Sequence, residues 1–286
     1  MTILLAGCGD LGTEAGLRFN ALGHRVVGWR RSPAKLPAAI EGVAADLSSP
    51  NLPPVPADTT AVVIAVAADS PSEEAYRSAY VNGLTHVLDA LAHDGVVPQR
   101  VLFISSTAVY GDAGGGWVDE HTPPAPGGFS GRILVEAEQL LQARFSGTAT
   151  TAASLRLGGI YGPGRTRLID QVRGGSAIVP EDLRYTNRIH RDDAAAAIVH
   201  LAGMPSTPAP TYIGVDNDPA DFGTVLRFLA AEMGLPEPPV GDAGPARGGN
   251  KRCRNQLLLG TGFEFAFPSF REGYRDILAG NGVRHP

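Results

Sequence analysis

Residues 3–19 read ILLAGCGDLGTEAGLRF, and this stretch decides the fold. A short apolar run precedes three glycines spaced as GxGxxG, and a helical pattern starts inside the motif. This arrangement is typical of a dinucleotide-binding loop, in which glycines permit a tight turn and close approach of a pyrophosphate at a helix N-terminus. The alternative is a plain tight turn. We expect the phosphate contacts to come from Gly7, Gly9, Asp10, Leu11 and Gly12.

The second predicted strand, His24 to Arg31, ends in two arginines. A site that prefers NAD usually carries Asp or Glu there, which accepts hydrogen bonds from the adenosine ribose. This chain has no carboxylate between Glu14 and Glu41, and it offers Arg30 and Arg31 instead. Guanidinium groups bind phosphate through charge-assisted hydrogen bonds. The pattern favours NADP over NAD, the alternative being a solvated basic strand end with no ligand.

The composition narrows the class of partner. Among 286 residues, 43% are hydrophobic and 19% charged, and the net charge is −5 without long charged runs, so a small-molecule substrate fits better than nucleic acid. The two cysteines are far apart, which argues against a metal site or a disulfide framework. The longest apolar run, Ala61 to Ala68, is too short to span a membrane, and no signal segment is recognisable, so we expect a cytoplasmic protein.

Strands alternate with helices along most of the chain, which predicts an α/β fold with a doubly wound parallel sheet of the Rossmann type. The strands are expected at Thr2 to Ala6, His24 to Arg31, 42–47, Ala61 to Ala68, 100–107, 151–162 and 211–215, and the later helices at Glu73 to Ala92, Gly131 to Arg144, Phe222 to Met233 and Phe270 to Leu278. We predict a cofactor-binding domain of residues 1–157 with 186–216 returning to it. Residues 158–185 and 217–286 would form a small C-terminal substrate lobe.

Four further segments resemble the extended short-chain dehydrogenase/reductases, the NAD-dependent epimerase/dehydratase family. They are YVNGLTHVLDAL with Asn82, FISSTAVYG, LRLGGIYGPG and RIHRDDAAAAIVHLAG. The resemblance implies a catalytic role for Ser106 and a supporting role for Asn82. It also implies that the cofactor is contacted by Asp46, Leu47, Val66 and Ala67, each of which could equally be a packing residue.

The family's catalytic YxxxK pair is missing from this chain. Aligning the helix GRILVEAEQLL on the glutamate that follows the pair puts Glu138 at that position, Ser130 at the tyrosine and Leu134 at the lysine. The whole chain contains two lysines, Lys35 and Lys251, and neither lies four residues after a tyrosine. In the family the lysine lowers the tyrosine pKa so that the phenol can move a proton. The chain therefore resembles an atypical member with altered or lost chemistry.

Another group must then deliver the proton. Ser106 and Ser130 are candidates because of their positions in the motifs, and Tyr110 and Tyr161 because a phenol can donate a proton. Of the two tyrosines we favour Tyr161, which lies in GIYGPG beside the expected nicotinamide end, although the matching tyrosine is usually structural in the family.

The substrate contacts are expected from four side chains: Tyr110, Arg188, His190 and Lys251. Arg188 would hold a phosphate or carboxylate of the substrate. His190 could act as a general acid, the alternative being a histidine that is hydrogen-bonded to backbone groups at a helix cap. The alternative for Lys251 is a solvated basic loop.

Three functions follow from these observations. The leading one is an NADPH-dependent reductase of a small carbonyl, imine or activated alkene. The second is a redox sensor that binds NADP(H) without turnover. The third, a sugar-nucleotide epimerase or dehydratase, is disfavoured by the missing pair. The helices Glu73 to Ala92 and Gly131 to Arg144 would also suit a homodimer, although burial against the protein's own sheet explains their apolar stripes equally well.

Overall fold

The computed structural model describes residues 1–244 and 248–286. Its centre is a sheet of seven strands: β1 (Thr2–Ala6), β2 (Arg25–Arg30), β3 (Glu41–Ala44), β4 (Thr59–Ile64), β5 (Arg100–Ser106), β7 (Thr151–Leu157) and β11 (Thr211–Gly214). The strand order is β11-β7-β5-β4-β1-β2-β3, and every neighbouring pair is parallel. The predicted doubly wound α/β fold of the Rossmann type is confirmed.

Helices cover both faces of the sheet. They are α1 (Asp10–Ala21), α2 (Glu73–Tyr76), α3 (Gly83–His93), α4 (Phe129–Phe145), α5 (Arg167–Arg173), α6 (Arg191–Gly203), α7 (Phe222–Glu232), α8 (Gln256–Leu259) and α9 (Phe270–Leu278). Apolar residues of α1 and α6 pack in one core with one sheet face, and those of α3 and α4 pack with the other. Burial on both faces explains the continuous apolar runs of the central strands, such as β1, in which all five residues are buried.

A third apolar core lies in the late part of the chain. It joins residues of α5, α7 and α9 with Tyr161, Val179 and Ala220. Three pairs of short parallel strands lie outside the central sheet: β6 (Trp117–Val118) pairs with β13 (Arg252–Cys253), β8 (Gly159–Tyr161) with β10 (Arg188–His190), and β9 (Val179–Pro180) with β12 (Val240–Gly241). The late residues therefore pack around a hydrophobic core separate from the two cores of the sheet. The domain bounds stay a prediction.

The strand expected at 151–162 is divided into β7 (Thr151–Leu157) and the short strand β8 (Gly159–Tyr161), which lies outside the central sheet. Two other predicted strands are shorter than expected. β4 ends at Ile64, so residues 65–68 leave the sheet as a loop. β3 ends at Ala44, because the Asp46 carboxylate accepts hydrogen bonds from the backbone N–H and the hydroxyl of Ser48 and turns the chain. Both chain segments leave the sheet at its carboxyl edge, where parallel α/β sheets bind ligands.

The helix expected over Glu73 to Ala92 is interrupted. A π-helix at Arg77–Asn82 separates α2 from α3. Asn82 lies on the exposed surface of this segment. Two short 3₁₀ helices, Pro33–Lys35 and Thr107–Tyr110, follow β2 and β5. Within residues 1–244 and 248–286, no helix has the length and apolar character needed to cross a bilayer.

Candidate cofactor and active site

The glycine loop joins β1 to α1. The N–H groups of Gly7 and Cys8 donate to the Trp29 carbonyl at 3.1 and 2.9 Å, which fixes the loop against β2. Gly7 has a φ of +86°, and a Cβ at this position would lie 2.8 Å from the Ala65 carbonyl oxygen. Only glycine fits both the left-handed backbone and this close approach to the chain leaving β4.

Gly9 has the opposite environment. A Cβ built on it would meet no atom within 4 Å, because the backbone there faces open space. That space is a cleft of about 970 Å³ between the carboxyl ends of β1, β2 and β4. Its position at the N-terminus of α1, with bare backbone on one side, fits a pyrophosphate.

Eight of the predicted cofactor residues line this cleft: Gly7, Gly9, Arg30, Arg31, Asp46, Leu47, Val66 and Ala67. The other three lie behind the loop. The Asp10 carboxylate is only 7% exposed and accepts from Arg191 at 3.0 Å and from Arg165 at 2.9 Å. Leu11 is buried, and a Cβ on Gly12 would lie 3.3 Å from the Gly7 carbonyl oxygen. These three positions support the loop and are not part of the cleft lining.

The cleft is strongly polar at the end of β2. Arg30 Nη1 donates to the Pro286 carbonyl at 2.8 Å, and Arg31 forms a two-point ion pair with Asp69, with both N–O distances 2.7 Å. Hydrogen bonds from Arg31 hold the pKa of Asp69 below its usual value. Ser32 and Lys35 line the same end. Sequence reasoning stopped at the strand end and missed these two, although the Pro33–Lys35 turn that follows directly is a signal for them.

The second group of predicted residues follows β5 and begins α4. Ser106 is half-buried, and its hydroxyl oxygen accepts from the Ala108 N–H at 3.2 Å. Ser130, also half-buried, lies in the first turn of α4. A Cβ on Gly131 would be 2.5 Å from the Ala108 carbonyl oxygen, so the start of α4 approaches the chain just after Ser106. The structure thus brings both serine segments to the same edge of the sheet.

The tyrosines are not in open positions. The Tyr161 hydroxyl contacts the Ser269 carbonyl at 3.5 Å, and its ring packs on Tyr274 and His190 in the late core. Burial raises the Tyr161 pKa. Tyr110 is also buried, and its hydroxyl accepts from Arg156 at 2.7 Å. Both tyrosines are almost fully buried, so the structure gives no support to Tyr161 as proton donor or Tyr110 as substrate contact.

Three expected substrate residues are buried as well. The Arg188 guanidinium lies over the Phe270 ring at 5.4 Å. His190 caps α6 by accepting from the Asp192 N–H through Nδ1 at 3.3 Å, and burial lowers its pKa. Lys251 Nζ donates to the Gly111 carbonyl at 3.0 Å and to the Gly248 carbonyl. The structure therefore places each of the three in internal packing, and the helix-cap interpretation of His190 describes its contacts.

A buried network beneath the serines was missed by the sequence analysis. Glu138 of α4 pairs with Arg156 of β7 at 2.6 Å and accepts from the Ser105 hydroxyl at 2.6 Å. Arg156 also donates to Tyr110, which ties α4, β5 and β7 together under the site. Glu138 was visible as an alignment anchor, but its partners are distant in sequence and were not.

The profile of the NAD-dependent epimerase/dehydratase family matches residues 3–213. The chain belongs to this family. The match covers the glycine loop, both serine segments and α6.

Two relatives of this epimerase/dehydratase family member span nearly the whole chain, and a third matches a smaller part of it. Protein YeeZ of Escherichia coli K12 is 30% identical over 278 residues, covering 93% of this chain and 96% of that protein. A Methylobacillus flagellatus structure assigned to the NAD-dependent epimerases/dehydratases has a TM-score of 0.78 at 36% identity and covers 98% of both chains. The dTDP-L-rhamnose 4-epimerase of Burkholderia thailandensis is 28% identical over 59% of each chain.

More distant structures share the fold. UDP-glucose 4-epimerase of Thermus thermophilus in complex with NAD has a TM-score of 0.78 at 20% identity and covers 96% of this chain and 97% of its own. The sequence predicts Leu134 at the lysine position of the family's catalytic pair. Leu134 there is buried in the core, Lys35 lines the far end of the cleft and Lys251 is internal. Among the described residues, no group of three or more His, Cys, Asp or Glu side chains could hold a metal ion.

Proposed function

We propose that this protein is an NADP(H)-dependent oxidoreductase that reduces a small carbonyl, imine or activated alkene. The observation that carries the proposal is the polar end of the cleft, where Arg30, Arg31 and Lys35 surround the strand end that normally carries an acidic residue in NAD sites. Ser32 adds a hydroxyl donor to the same end. Three cations next to a glycine loop match the added phosphate of NADP.

The rest of the cleft fits a dinucleotide. The open backbone at Gly9 leaves room for the pyrophosphate, and Val66 and Ala67 line the path from β4 toward the serine segments. When bound, the nicotinamide would supply a hydride. What the chain must add is orientation of the substrate and a proton for the developing alkoxide or amine.

Ser106 and Ser130 are the residues proposed for that role. The Ser106 oxygen already accepts from the Ala108 N–H, which orients the hydroxyl and leaves its proton available for donation. Ser130 stands at the position of the family's tyrosine, on a helix held by the buried Glu138–Arg156 pair. A serine hydroxyl has a much higher pKa than an activated phenol, so we expect it to relay a proton from water and not to act as the ultimate acid.

A sugar-nucleotide epimerase or dehydratase is the second candidate. It is favoured by the match to dTDP-L-rhamnose 4-epimerase. It would require oxidation of a substrate alcohol without the tyrosine and lysine, which makes it the weaker proposal. A sensor that binds NADP(H) without turnover would share the cleft but show no substrate-dependent oxidation.

The first test is a titration with NADPH and with NADH, followed by thermal shift and nucleotide fluorescence. We expect Arg30→Ala to weaken NADPH binding about 10- to 100-fold, since hydrogen bonds to charged groups contribute about 1.5–3 kcal/mol. Arg25→Ala is the matched control, because Arg25 occupies the other end of the same strand and pairs with Glu41 at 2.8 Å. Failure of both nucleotides to bind would overturn the proposal.

Turnover is tested next with carbonyl, imine and alkene panels, measured as NADPH oxidation. Substrate-dependent oxidation supports the reductase. Interconversion of a nucleotide sugar with no net change in NADPH would favour the second candidate. Tight binding without either reaction would support the sensor.

A further inference from the structure

One ion pair crosses the mouth of the cofactor cleft. Arg31 follows β2 and Asp69 follows β4, and these two strands flank β1 in the sheet. Their two N–O contacts of 2.7 Å therefore bridge the carboxyl end of β1 near the start of the glycine loop. Both side chains line the cleft.

The Asp69 carboxylate occupies the Nη1–Nη2 edge of the Arg31 guanidinium, an edge that can also bind a phosphate through two hydrogen bonds. A guanidinium presents its donors in a fixed planar arrangement. Asp69 Oδ2 accepts a hydrogen bond from Arg31 Nη1, and Asp69 Oδ1 accepts one from Nη2. Arg30 is engaged differently, through a single hydrogen bond from Nη1 to the backbone oxygen of Pro286. A ligand phosphate would thus compete with a two-point ion pair at Arg31 but with a single hydrogen bond at Arg30.

The pair is open to solvent. The side chains of Arg31 and Asp69 are 63% and 68% exposed, and exposed pairs of this kind contribute about 0–1 kcal/mol. A dianionic phosphate could therefore displace Asp69, but it would then lie beside the displaced negative charge. NAD has no phosphate at this position. Its binding would therefore require no displacement of Asp69 and would place no second negative charge beside it.

We propose that Asp69 is a specificity-determining residue that moderates the preference for NADP by competing with the 2′-phosphate for Arg31. This inference rests on the proposed cofactor site. It assigns opposite effects to two neighbouring side chains, since Arg30 supports NADP binding and Asp69 restrains it. The protein would consequently keep a usable affinity for NAD despite its cationic strand end.

The test is isothermal titration of the purified full-length protein and its Asp69→Asn variant with NADPH and NADH. We expect NADPH to bind about 3- to 10-fold more tightly to Asp69→Asn, with NADH unchanged within about twofold. Asp58→Asn is the matched control: Asp58 is 65% exposed, pairs with Arg25 at 3.3 Å, and lies at the opposite end of the sheet. It should leave both affinities unchanged.

A double-mutant cycle separates competition from simple charge repulsion. If Asp69 acts through Arg31, the gain from Asp69→Asn disappears in an Arg31→Ala background. A gain that persists there, an equal change for both nucleotides, or no change for NADPH overturns the inference while leaving the proposed function standing. If the wild-type protein binds neither nucleotide, the proposed function itself fails.

Discussion

The two ends of the site are built in different ways. At the adenosine end, groups that can bind a ligand line an open cleft, and the glycine backbone, Arg31 and Lys35 all face it. At the other end, most of the groups that could do chemistry are turned inward, as with Tyr161 and His190, and two half-buried serines remain. If the proposed function holds, cofactor binding in this fold can be kept independently of the family's acid–base groups.

The largest effect is expected from a substitution that blocks nucleotide binding at the adenosine end. Gly9→Asp should remove detectable binding of both NADPH and NADH, at least a ~100-fold loss, because a carboxylate would enter the open space meant for pyrophosphate. Thermal shift with each nucleotide measures this. Gly203→Asp is the control, since a Cβ there also meets no atom within 4 Å. Nucleotide binding by Gly9→Asp would place the cofactor elsewhere.

The next largest effect is expected at the catalytic end, where a serine and a tyrosine hydroxyl can be compared. Ser106→Ala should lower kcat/KM about 100-fold on any substrate found by the NADPH oxidation screen, as expected when a proton-transfer group is removed. Tyr161→Phe should stay within about twofold of wild type, because the only hydrogen bond of that hydroxyl among the described residues is a long one to the Ser269 carbonyl, at 3.5 Å. The reverse ranking would show that the reacting groups extend into the late core.

The smallest effect tests the inward-facing polar groups. Burial raises the pKa of Asp216 from 3.8 to about 8. Between about pH 4 and 8 the folded carboxyl keeps its proton while the unfolded one releases it, so the free energy of unfolding falls as the pH rises through this window.

The substitution Asp216→Asn removes this fall in the free energy of unfolding at high pH, because the amide does not titrate. Its melting temperature should exceed that of wild type by about 3 °C or more at pH 9 and approach it near pH 4. Asp182→Asn, on an exposed loop, should follow the wild-type pH profile. Parallel profiles for Asp216→Asn and wild type would show that the carboxyl is already ionised in the folded protein.

Local patterns accounted for much of the fold. The bounds of β1 and α9 match the sequence prediction, because an apolar run before glycines and a Ser-capped amphipathic segment are both short-range signals. β4 was predicted to extend too far, since the apolar residues at 65–68, three alanines and Val66, resemble a strand in sequence but form the cleft wall. The π-helix within the expected single helix has no clear signal in a pattern of apolar spacing.

The candidate site was predictable where it depends on backbone position and strand ends, as at Gly9 and Arg30. It was not predictable where side-chain direction matters. Tyr161 is the last residue of β8, just beyond the carboxyl end of β7, yet its ring packs inward against α9, where a Cβ on Gly273 would overlap the phenol oxygen. Likewise the partners of Arg31 and Glu138 come from segments distant in the chain, which no local pattern connects.

The π-helix at Arg77–Asn82 bears on how related sequences should be aligned. Ser78 and Ala79, within it, form part of the cleft wall. A π-helical turn holds one residue more than an α-helical turn, so a relative that lacks one residue here would carry a regular helix with the same ends. Each residue turns an α-helix by about 100°, and an ungapped alignment would then assign the wrong side chains to the cleft. A one-residue gap within 77–82 is therefore the placement that keeps both helix ends in register.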